Sequence, residues 1–205
     1  DFFELTCLNM AQQGLFGEVI HAQGAYIHNL EDYWTRYHNN WRLDFNQKHA
    51  GDVYPTHGLG PVCQVLNIHR GDKMDYLVSM STPSINGLKI AKEQMGVDTF
   101  ANGDMTSTLI KTNKGKTILI QHNVYTPRPY DRLYQLTGTE GFANKYPIEG
   151  FTLRNKNVSS NIIRDHEKLD EHSFVSNEVR DSLMMAYKHP IAKDIEEKAK
   201  QVGGH

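Results

Sequence analysis

The sequence predicts an α+β domain in which helices pack on one face of a mostly antiparallel, open sheet. Apolar residues recur at helical spacing between Phe2 and Met10, at the start of the chain. Between residues 104 and 145, strand-like segments are joined by short glycine-containing turns, which pair consecutive strands antiparallel. Two more helical patterns, over residues 176–187 and 191–202, end the chain. Together these patterns indicate separate helices and strands rather than an alternating parallel arrangement.

The first 41 residues contain one helix, one strand and an irregular segment by these criteria. The initial helix is expected to end near Gly14, because glycine suits a helix C-terminus. A strand follows over residues 18–27. Residues 28–41 are polar and aromatic without a clear period, which indicates a long ordered loop.

The middle of the chain carries the strongest local signals. A helix is expected from Thr56 to about Ile68, and a strand over residues 74–81. Residues 85–96 are ambiguous and are interpreted as a loop with a helical turn. Asn113-Lys114-Gly115 is typical of a hairpin turn between strands over residues 104–112 and 116–124.

The strands continue beyond this hairpin. Residues 133–137 and 142–145 are expected to be strands joined at Gly138-Thr139-Glu140-Gly141. Ile118 and Ile120 are expected on one face of their strand and Leu119 on the other. Residues 148–161 carry only a weak and polar pattern, so no element is predicted there.

Length and charge limit the classes of function. A chain of 205 residues suits one large domain, and a net charge of −2 argues against a general nucleic-acid binder. No apolar run is long enough to span a membrane. Asp1 begins directly in a helical pattern and Gly203-Gly204-His205 ends on a loop-like motif. We therefore expect residues 1–205 to be a single substrate-binding or oligomerisation domain from a longer protein, truncated at both ends.

Several common chemistries find no support in the sequence. It contains no G-x-G-x-x-G dinucleotide motif, no P-loop and no G-x-S-x-G nucleophile motif. Asp165-His166 and Glu171-His172 lie in a polar segment without a partner at metal-ligand spacing, so no metal site is predicted. Cys7 and Cys63 do not form a disulfide framework and are expected to be buried thiols.

The run from Trp41 to Gln64 is dense in titratable and hydrogen-bonding groups and leads into an apolar helix. Thr56 is a plausible N-cap, which would place His57 in the first helical turn. The helix dipole disfavours added positive charge there, so His57 is expected to be neutral at pH 7. From the pattern alone His57 is either a base or ligand contact, or a residue that only caps and packs.

A second cluster, residues 125–130, holds two prolines around Arg128 and precedes Tyr130. The prolines fix the backbone and would hold Arg128 and Tyr130 at a strand end. Taken alone, the segment is better interpreted as a stiff connection between strands than as a site.

Several longer strings resemble one known family. They include Gly24-Ala25-Tyr26-Ile27-His28, Trp41-Arg42, the run from Tyr54 to Gln64, Asn67-Ile68-His69-Arg70-Gly71-Asp72, Gly103-Asp104-Met105 and Pro127-Arg128-Pro129-Tyr130. The sequence is similar to glycoside hydrolase family 109, the NAD-dependent α-N-acetylgalactosaminidases of the Gfo/Idh/MocA superfamily. The similarity is dense over residues 1–147 and looser beyond them.

The resemblance implies a fold and an activity. An N-terminal Rossmann domain, absent from this chain, would hold NAD, and this chain would be the C-terminal domain that supplies the substrate wall. The implied reaction oxidises C3 of the sugar, removes the C2 proton, eliminates the aglycone, adds water and returns the hydride. The implied ligand is a glycan ending in α-N-acetylgalactosamine, and the isolated chain is expected to be inactive.

The resemblance also implies site residues by motif position. The substrate-contacting positions are Tyr26, Arg42, Tyr54, Pro55, Thr56, His57 and Tyr130. His57 and Tyr54 are the catalytic candidates, and which of them is the base stays open. Family members form oligomers through the sheet face and often carry export signals, so a homo-oligomer and an exported, periplasmic or cell-surface location are expected. The alternatives are a Gfo/Idh/MocA sugar oxidoreductase and a non-catalytic oligomerisation module.

Overall fold

A computed structural model describes residues 1–36, 41–163 and 169–204 of the chain. The helices are α1 (Phe2–Gln12), α2 (Glu31–Arg36), α3 (Trp41–Lys48), α4 (Thr56–Val65), α5 (Asn86–Met95), α6 (Asn177–Ala186) and α7 (Pro190–Gln201). The strands are β1 (Val19–Ile27), β2 (Met74–Ser81), β3 (Thr106–Thr112), β4 (Thr117–Asn123), β5 (Tyr134–Gly138), β6 (Gly141–Lys145) and β7 (Gly150–Leu153). A short 3₁₀ turn, Asn155–Asn157, follows β7.

The strands form one open sheet in the order β2-β3-β4-β1-β5-β6-β7. The hairpins β3–β4 and β5–β6 are antiparallel, as their short turns predict, and the unpredicted hairpin β6–β7 is antiparallel as well. β1 and β4 are parallel instead, with Tyr26 opposite His122. The predicted α+β class with a mostly antiparallel sheet is therefore confirmed, and the central parallel pair is the feature that local turn signals do not reveal.

The core lies between the sheet and the helices that cover one of its faces. Ile118 and Ile120 are buried toward the helices, as their alternation with Leu119 predicts. On the opposite face Val78 and Leu109 are 58% and 51% exposed. One side of the sheet is therefore packed and the other is open.

Three segments differ from the sequence-based expectations. The region taken as a loop over residues 28–41 contains α2, and α3 begins at Trp41; residues 37–40 lie outside the described part of the chain. Trp34 on α2 is buried in a second hydrophobic cluster with Tyr125. Tertiary burial of this aromatic side chain gives the helix a stability that its short, weakly periodic sequence does not predict.

Residues 86–95 form a helix rather than the expected loop with a helical turn. The carboxylate of Asp104 accepts hydrogen bonds from the backbone N–H groups of Ile85, Asn86 and Gly87 at 3.1, 2.8 and 2.9 Å. This cap comes from a residue 17 to 19 positions away in sequence, which is why a local search for a capping residue misses it.

Strand β7 was not predicted, and α4 ends at Val65 rather than near Ile68. β7 has only four residues, so its alternation is too short to stand out, yet Phe151 and Leu153 are fully buried. Across the described ranges, no helix is both long and apolar enough to cross a membrane.

Candidate active site

A pair of glycines places α4 directly on the central strand β1. A Cβ atom on Gly24 would overlap the carbonyl oxygen of Gly58, and one on Gly58 would lie 3.0 Å from the backbone nitrogen of Ala25. The two backbones can approach this closely because neither residue has a side chain. The contact brings the first turn of α4 against the carboxyl end of β1.

Three aromatic rings meet at this contact. Tyr26 on β1 stacks on His57 of α4, with ring centroids 5.1 Å apart and an angle of 28° between the ring planes. The Tyr54 ring lies 5.1 Å from Tyr26 and 5.3 Å from His57. Tyr26 is buried, whereas Tyr54 and His57 are partly exposed, so this cluster is open to a ligand on one side.

Arg42 on α3 adds a positive charge to the same cluster. Its Cζ atom lies 4.6 Å from the centroid of the Tyr54 ring, in a cation–π arrangement. Burial raises the pKa of Tyr26, while a hydrogen bond to Arg42 and its charge act in the opposite direction. Arg42 therefore connects two of the predicted tyrosines.

A buried hydrogen-bond network holds α3 in place. Asn46 Nδ2 donates to the Tyr125 hydroxyl at 2.6 Å, and this hydroxyl donates to Asn102 Oδ1 at 3.0 Å. Asn102 Nδ2 donates to the Gly51 carbonyl at 2.8 Å. Because these groups are buried and paired, they fix the helix that carries Arg42 relative to the sheet.

The electrostatic surroundings of His57 favour its neutral form. Burial lowers the pKa of His57, and the positive charges of Arg132 and Arg42 lower it further. The ring lies in the first turn of α4, where the helix dipole acts in the same sense. A neutral imidazole has one lone pair on a ring nitrogen, so it can accept a proton or a hydrogen bond.

The N-cap prediction for Thr56 is wrong. Pro55 occupies the N-cap with φ −74° and ψ −10°, no side chain caps the helix, and Thr56 is its first residue. The fixed φ of proline is already helical, so the helix can begin without a side-chain acceptor. Pro55 and Thr56 are both exposed beside His57, where a ligand can reach them.

The ring of His28 lies between Tyr130 and the aromatic cluster. It is 44% exposed, and its ring lies 4.9 Å from that of His28, which in turn lies 6.2 Å from Tyr26. The Tyr146 ring lies 5.9 Å from Tyr130 on the other side. The structure thus brings all the predicted site residues into one region, with Tyr130 at its edge.

Sequence reasoning missed several groups in this region. His28 belongs to the Gly24–His28 string but was not assigned a role, and Arg132 acts on His57 through its charge. Asp52 accepts a hydrogen bond from the Tyr54 backbone N–H at 3.0 Å, and burial raises its pKa to about 6. Its place two residues before Tyr54 is a signal that could have been used.

His122 was also missed, and no local signal could have found it. It is 1% exposed, and burial together with the charge of Arg42 lowers its pKa to about 4. Its ring stacks near Tyr26 with centroids 6.2 Å apart. This proximity depends on the parallel pairing of β1 and β4, which is not visible in the sequence.

The described residues contain no group of three or more histidine, cysteine, aspartate or glutamate side chains that could hold a metal ion. Asp165 and His166 lie outside the described residues. Glu171 and His172 are exposed, and Glu171 pairs with Arg154 at 3.5 Å. The polar groups that the described part of the site offers are imidazole rings, phenols and guanidinium groups.

Comparison with known proteins identifies the family of the chain. The family model described as "Glycosyl hydrolase 109, C-terminal domain" matches residues 3–205. The chain belongs to glycoside hydrolase family 109. It is 63% identical over 207 residues to glycosyl hydrolase family 109 protein 1 of Bacteroides fragilis (strain YCH46), covering 100% of this chain and 45% of that protein.

A second family 109 relative, from Porphyromonas gingivalis (strain ATCC BAA-308 / W83), is 62% identical over 207 residues. That match covers 100% of this chain and 44% of the relative. The chain thus spans less than half the length of these family 109 relatives and corresponds to their C-terminal part.

Solved structures support the fold of this family 109 domain. An inositol dehydrogenase homolog from Azotobacter vinelandii, complexed with NAD+, matches with a TM-score of 0.51 at 14% identity. Apo scyllo-inositol dehydrogenase from Lactobacillus casei matches with a TM-score of 0.51 at 10% identity. Each match covers 97% of this chain, and 53% and 51% of the two structures respectively. The predicted Gfo/Idh/MocA type of C-terminal domain is confirmed.

Proposed function

We propose that the whole protein to which this chain belongs hydrolyses terminal α-N-acetylgalactosamine from glycans in an NAD-dependent reaction. The observation that carries the proposal is the neutral His57, stacked on Tyr26 and adjoining Tyr54 in a cluster that is open on one side. Membership of family 109 supports a glycosidase, and the site chemistry supports proton removal beside a carbonyl group.

The residues of this chain suit a sugar better than a dinucleotide. The sequence has no glycine-rich phosphate-binding motif, while tyrosine, arginine and histidine side chains match sugar hydroxyl groups. We therefore assign binding of the NAD phosphates to the part of the protein outside this chain. Bound NAD supplies reversible hydride transfer at C3 of the sugar, which acidifies the proton on C2.

The residues of the chain then act on that proton. His57, being neutral, accepts the C2 proton, and Tyr54 is the alternative base or a relay beside it. Loss of the proton allows the bond to the aglycone to break by elimination, and water adds to the resulting double bond. The same group returns a proton to C2, so that acid and base roles alternate during one cycle.

The remaining residues bind and orient the sugar. Arg42 offers a rigid set of N–H donors, held by its contact with Tyr54. Tyr26 forms the floor of the site, and the exposed Pro55 and Thr56 border its open side. Tyr130 lies at the edge, beside His28, where it can cover the bound sugar.

The test uses the full-length protein with NAD and p-nitrophenyl α-N-acetylgalactosaminide. Release of p-nitrophenol should require NAD without net formation of NADH. The variant His57→Ala should lose about 10²- to 10⁴-fold in kcat, the usual contribution of a general base. Tyr54→Phe tests the other candidate, and the larger loss in kcat identifies the base.

His21→Ala is the matched control for this experiment. His21 lies on the same strand as Tyr26 but on the open face, where its Nδ1 pairs with the Thr117 hydroxyl at 2.8 Å. It should keep normal activity. Full activity in both His57→Ala and Tyr54→Phe would refute the assignment of the base.

A sugar oxidoreductase is the second candidate, because the fold is shared with dehydrogenases of inositol. Such an enzyme keeps the oxidised product, so NADH accumulates with a free sugar and no aglycone is released. Measuring the absorbance of NADH and of p-nitrophenol in the same cuvette separates the two reactions.

A third role, which does not exclude the first, is assembly through the open face of the sheet. Tyr76, Val78 and Met80 on β2 are 61%, 58% and 73% exposed, and they adjoin the exposed Leu109 on β3. We propose that a second copy of the chain covers this face. Sedimentation of the full-length protein should give a dimer or larger species, and Leu109→Lys should dissociate it; a wild-type monomer contradicts the proposal.

A further inference from the structure

Arg132 lies next to Tyr26 on the face of the sheet that carries the proposed site. An isolated antiparallel bridge pairs Ile27 with Asp131, just before β5 begins. One position further along each strand segment, in opposite directions, Arg132 is opposite Tyr26, and directly opposed side chains lie on the same face of a sheet. Arg132 is thus the cross-strand neighbour of the residue on which His57 stacks.

The charge of Arg132 acts on the proposed base. Burial lowers the pKa of His57 most, and the charge of Arg132 lowers it further, with a larger effect than that of Arg42. Coulomb interactions weaken with distance, so this order agrees with a position of Arg132 beside the stacked rings of Tyr26 and His57.

Arg132 lies where the open part of the site meets the core. Tyr130, two residues before it, is 44% exposed, and Tyr134, two residues after it, is 1% exposed. The side chain of Arg132 itself is 23% exposed. A ligand in the site can therefore reach one part of this side chain while protein encloses the rest.

The guanidinium group of Arg132 has five N–H donors, none of which donates a hydrogen bond to a described residue. Its ion-pair partner is Glu4, where Nη2 and Oε1 are 3.8 Å apart, which is too long for a hydrogen bond. The Glu4 carboxylate, 8% exposed on α1, attracts the guanidinium group but leaves its terminal N–H groups for another acceptor.

The two arginines of the site differ in how they are held. The Cζ atom of Arg42 lies 4.6 Å from the centroid of the Tyr54 ring, and Arg42 also forms a hydrogen bond with Tyr26. These contacts suit Arg42 to orienting the sugar. Arg132 has unused donors beside the base, which suits it to a group on the sugar that gains negative charge during the reaction.

We propose that Arg132 is a further catalytic residue, whose terminal N–H groups donate to the oxygen on C3 of the sugar. C2 and C3 are bonded to each other, so the base for the C2 proton and the donor to the C3 oxygen must be neighbours. His57 and Arg132 meet this condition, because both adjoin Tyr26. This inference rests on the proposed function and deepens it.

The proposed contact strengthens as the reaction proceeds. After C3 is oxidised, His57 takes the C2 proton, the C2–H electron pair forms a C2=C3 bond, and the C3 carbonyl oxygen becomes negative. In the elimination the carbonyl forms again, a C1=C2 bond forms, and the aglycone leaves with the electrons of its bond to C1 and takes up a proton. A positive donor stabilises the negative oxygen more than the neutral carbonyl, so Arg132 lowers the barrier to proton removal.

Kinetics of the full-length protein with NAD provide the first test. With p-nitrophenyl α-N-acetylgalactosaminide, Arg132→Gln should lose about 10²- to 10³-fold in kcat, the usual cost of removing an oxyanion donor. The isotope effect of deuterium at C2 should rise, because proton removal becomes slower relative to the other steps. A purely structural role would lower activity without raising this isotope effect.

Two further variants accompany this measurement. Arg132→Lys keeps a positive charge beside Glu4 and should lose less kcat than Arg132→Gln; an equal loss in folded protein would contradict the role of the charge. Arg154→Gln is the matched control, because Arg154 follows the edge strand β7 and pairs there with Glu140 and Glu171 at 3.6 and 3.5 Å. It should keep the wild-type kcat and isotope effect.

Binding of free sugars tests the contact without hydrolysis. Calorimetric titration of the full-length protein compares N-acetylgalactosamine with its 3-deoxy form, which lacks the oxygen that Arg132 contacts in this proposal. The wild type should prefer the 3-hydroxy sugar, and this preference should fall about tenfold in Arg132→Gln. Arg154→Gln should keep the full preference.

The outcomes separate this inference from the proposed function. If the wild type releases no p-nitrophenol but its preference for the 3-hydroxy sugar depends on Arg132, the glycosidase proposal fails and the contact stands. If the wild type is a glycosidase and folded Arg132→Gln keeps the isotope effect and the preference of the wild type, the assignment of Arg132 is overturned and the proposed function stands.

Discussion

The two faces of the central strand pair β1–β4 are built from alternating residues and have opposite properties. On the face toward α4, Tyr26 and His122 are buried, His122 Nδ1 has no hydrogen-bond partner among the described residues, and burial lowers the pKa of His122 to about 4. On the open face, His21 bonds Thr117 at 2.8 Å and Gln23 Nε2 donates to Gln135 Oε1 at 2.8 Å.

The difference shows that the polar groups on the two faces of one sheet are satisfied in different ways. Polar groups on the open face satisfy one another along the sheet, so they need no ligand. Polar groups on the covered face meet α3 and α4 but keep unpaired atoms, which is typical of a site that completes its hydrogen bonds with a ligand. The change from one face to the other takes a single residue along the strand.

The two faces should differ most in how much their apolar side chains contribute to the free energy of unfolding. Leu136→Ala on β5 removes a fully buried side chain and should destabilise the protein by about 3–5 kcal/mol. Leu109→Ala on the open face should cost less than about 1 kcal/mol in a monomer. Urea unfolding of both variants measures the contrast. A cost at Leu109 that rises with protein concentration would show that a second copy covers this face.

Acid should destabilise the protein through the buried His122 on the covered face. His122 has a folded pKa of about 4 against 6.5 unfolded, so between these pH values the unfolded state binds more protons. Stability from this group is full above pH 6.5 and falls as the pH is lowered, by roughly 3 kcal/mol in all.

Urea midpoints measured from pH 7.5 to pH 4.5 test this, and His122→Phe should flatten the dependence. Asp52 contributes to the pH dependence in the opposite direction. Burial raises its pKa to about 6, so protonation of its carboxyl favours the folded state. Asp52→Asn should therefore make stability fall more steeply as the pH is lowered. An unchanged slope in His122→Phe would contradict the assignment of the buried neutral histidine.

The contact between helix and strand should tolerate very little added volume. Gly24→Ala places a methyl group against the Gly58 carbonyl and should cost about 2 kcal/mol, with loss of activity as His57 moves from Tyr26. Gly60→Ala on the same helix meets no atom within 4 Å and should instead gain up to about 1 kcal/mol. Unfolding and activity measured together distinguish a displaced site from a general loss of stability.

The smallest effect on stability is expected for the hydrogen-bonded polar side chains of the open face. Gln135 accepts from Gln23 and donates from Nε2 to Asn144 Oδ1 at 3.1 Å. Gln135→Ala should cost about 1 kcal/mol or less, because water can replace partners on a partly exposed face. Thermal unfolding is sufficient to measure it, and a loss comparable with that of Leu136→Ala would show that the face is covered.

Sequence patterns predicted most of the fold because many of its signals are local. The hairpin at Asn113-Lys114-Gly115 and the alternation of Ile118 and Ile120 follow from turn chemistry and strand geometry. Helix α5 was missed because its cap comes from Asp104, and β7 because four residues carry too little pattern. Both errors concern elements stabilised from a distance.

The sequence by itself determined the family of the chain and its α+β class. It also led to the proposed site residues, since they lie in recognisable strings. Only the tertiary structure decided that β1 and β4 are parallel and that His122 lies beside Tyr26. It alone placed Arg132 beside Tyr26 and His57. Residues so far apart in sequence meet only when strand order and helix packing are set, and these depend on the whole core rather than on any local segment.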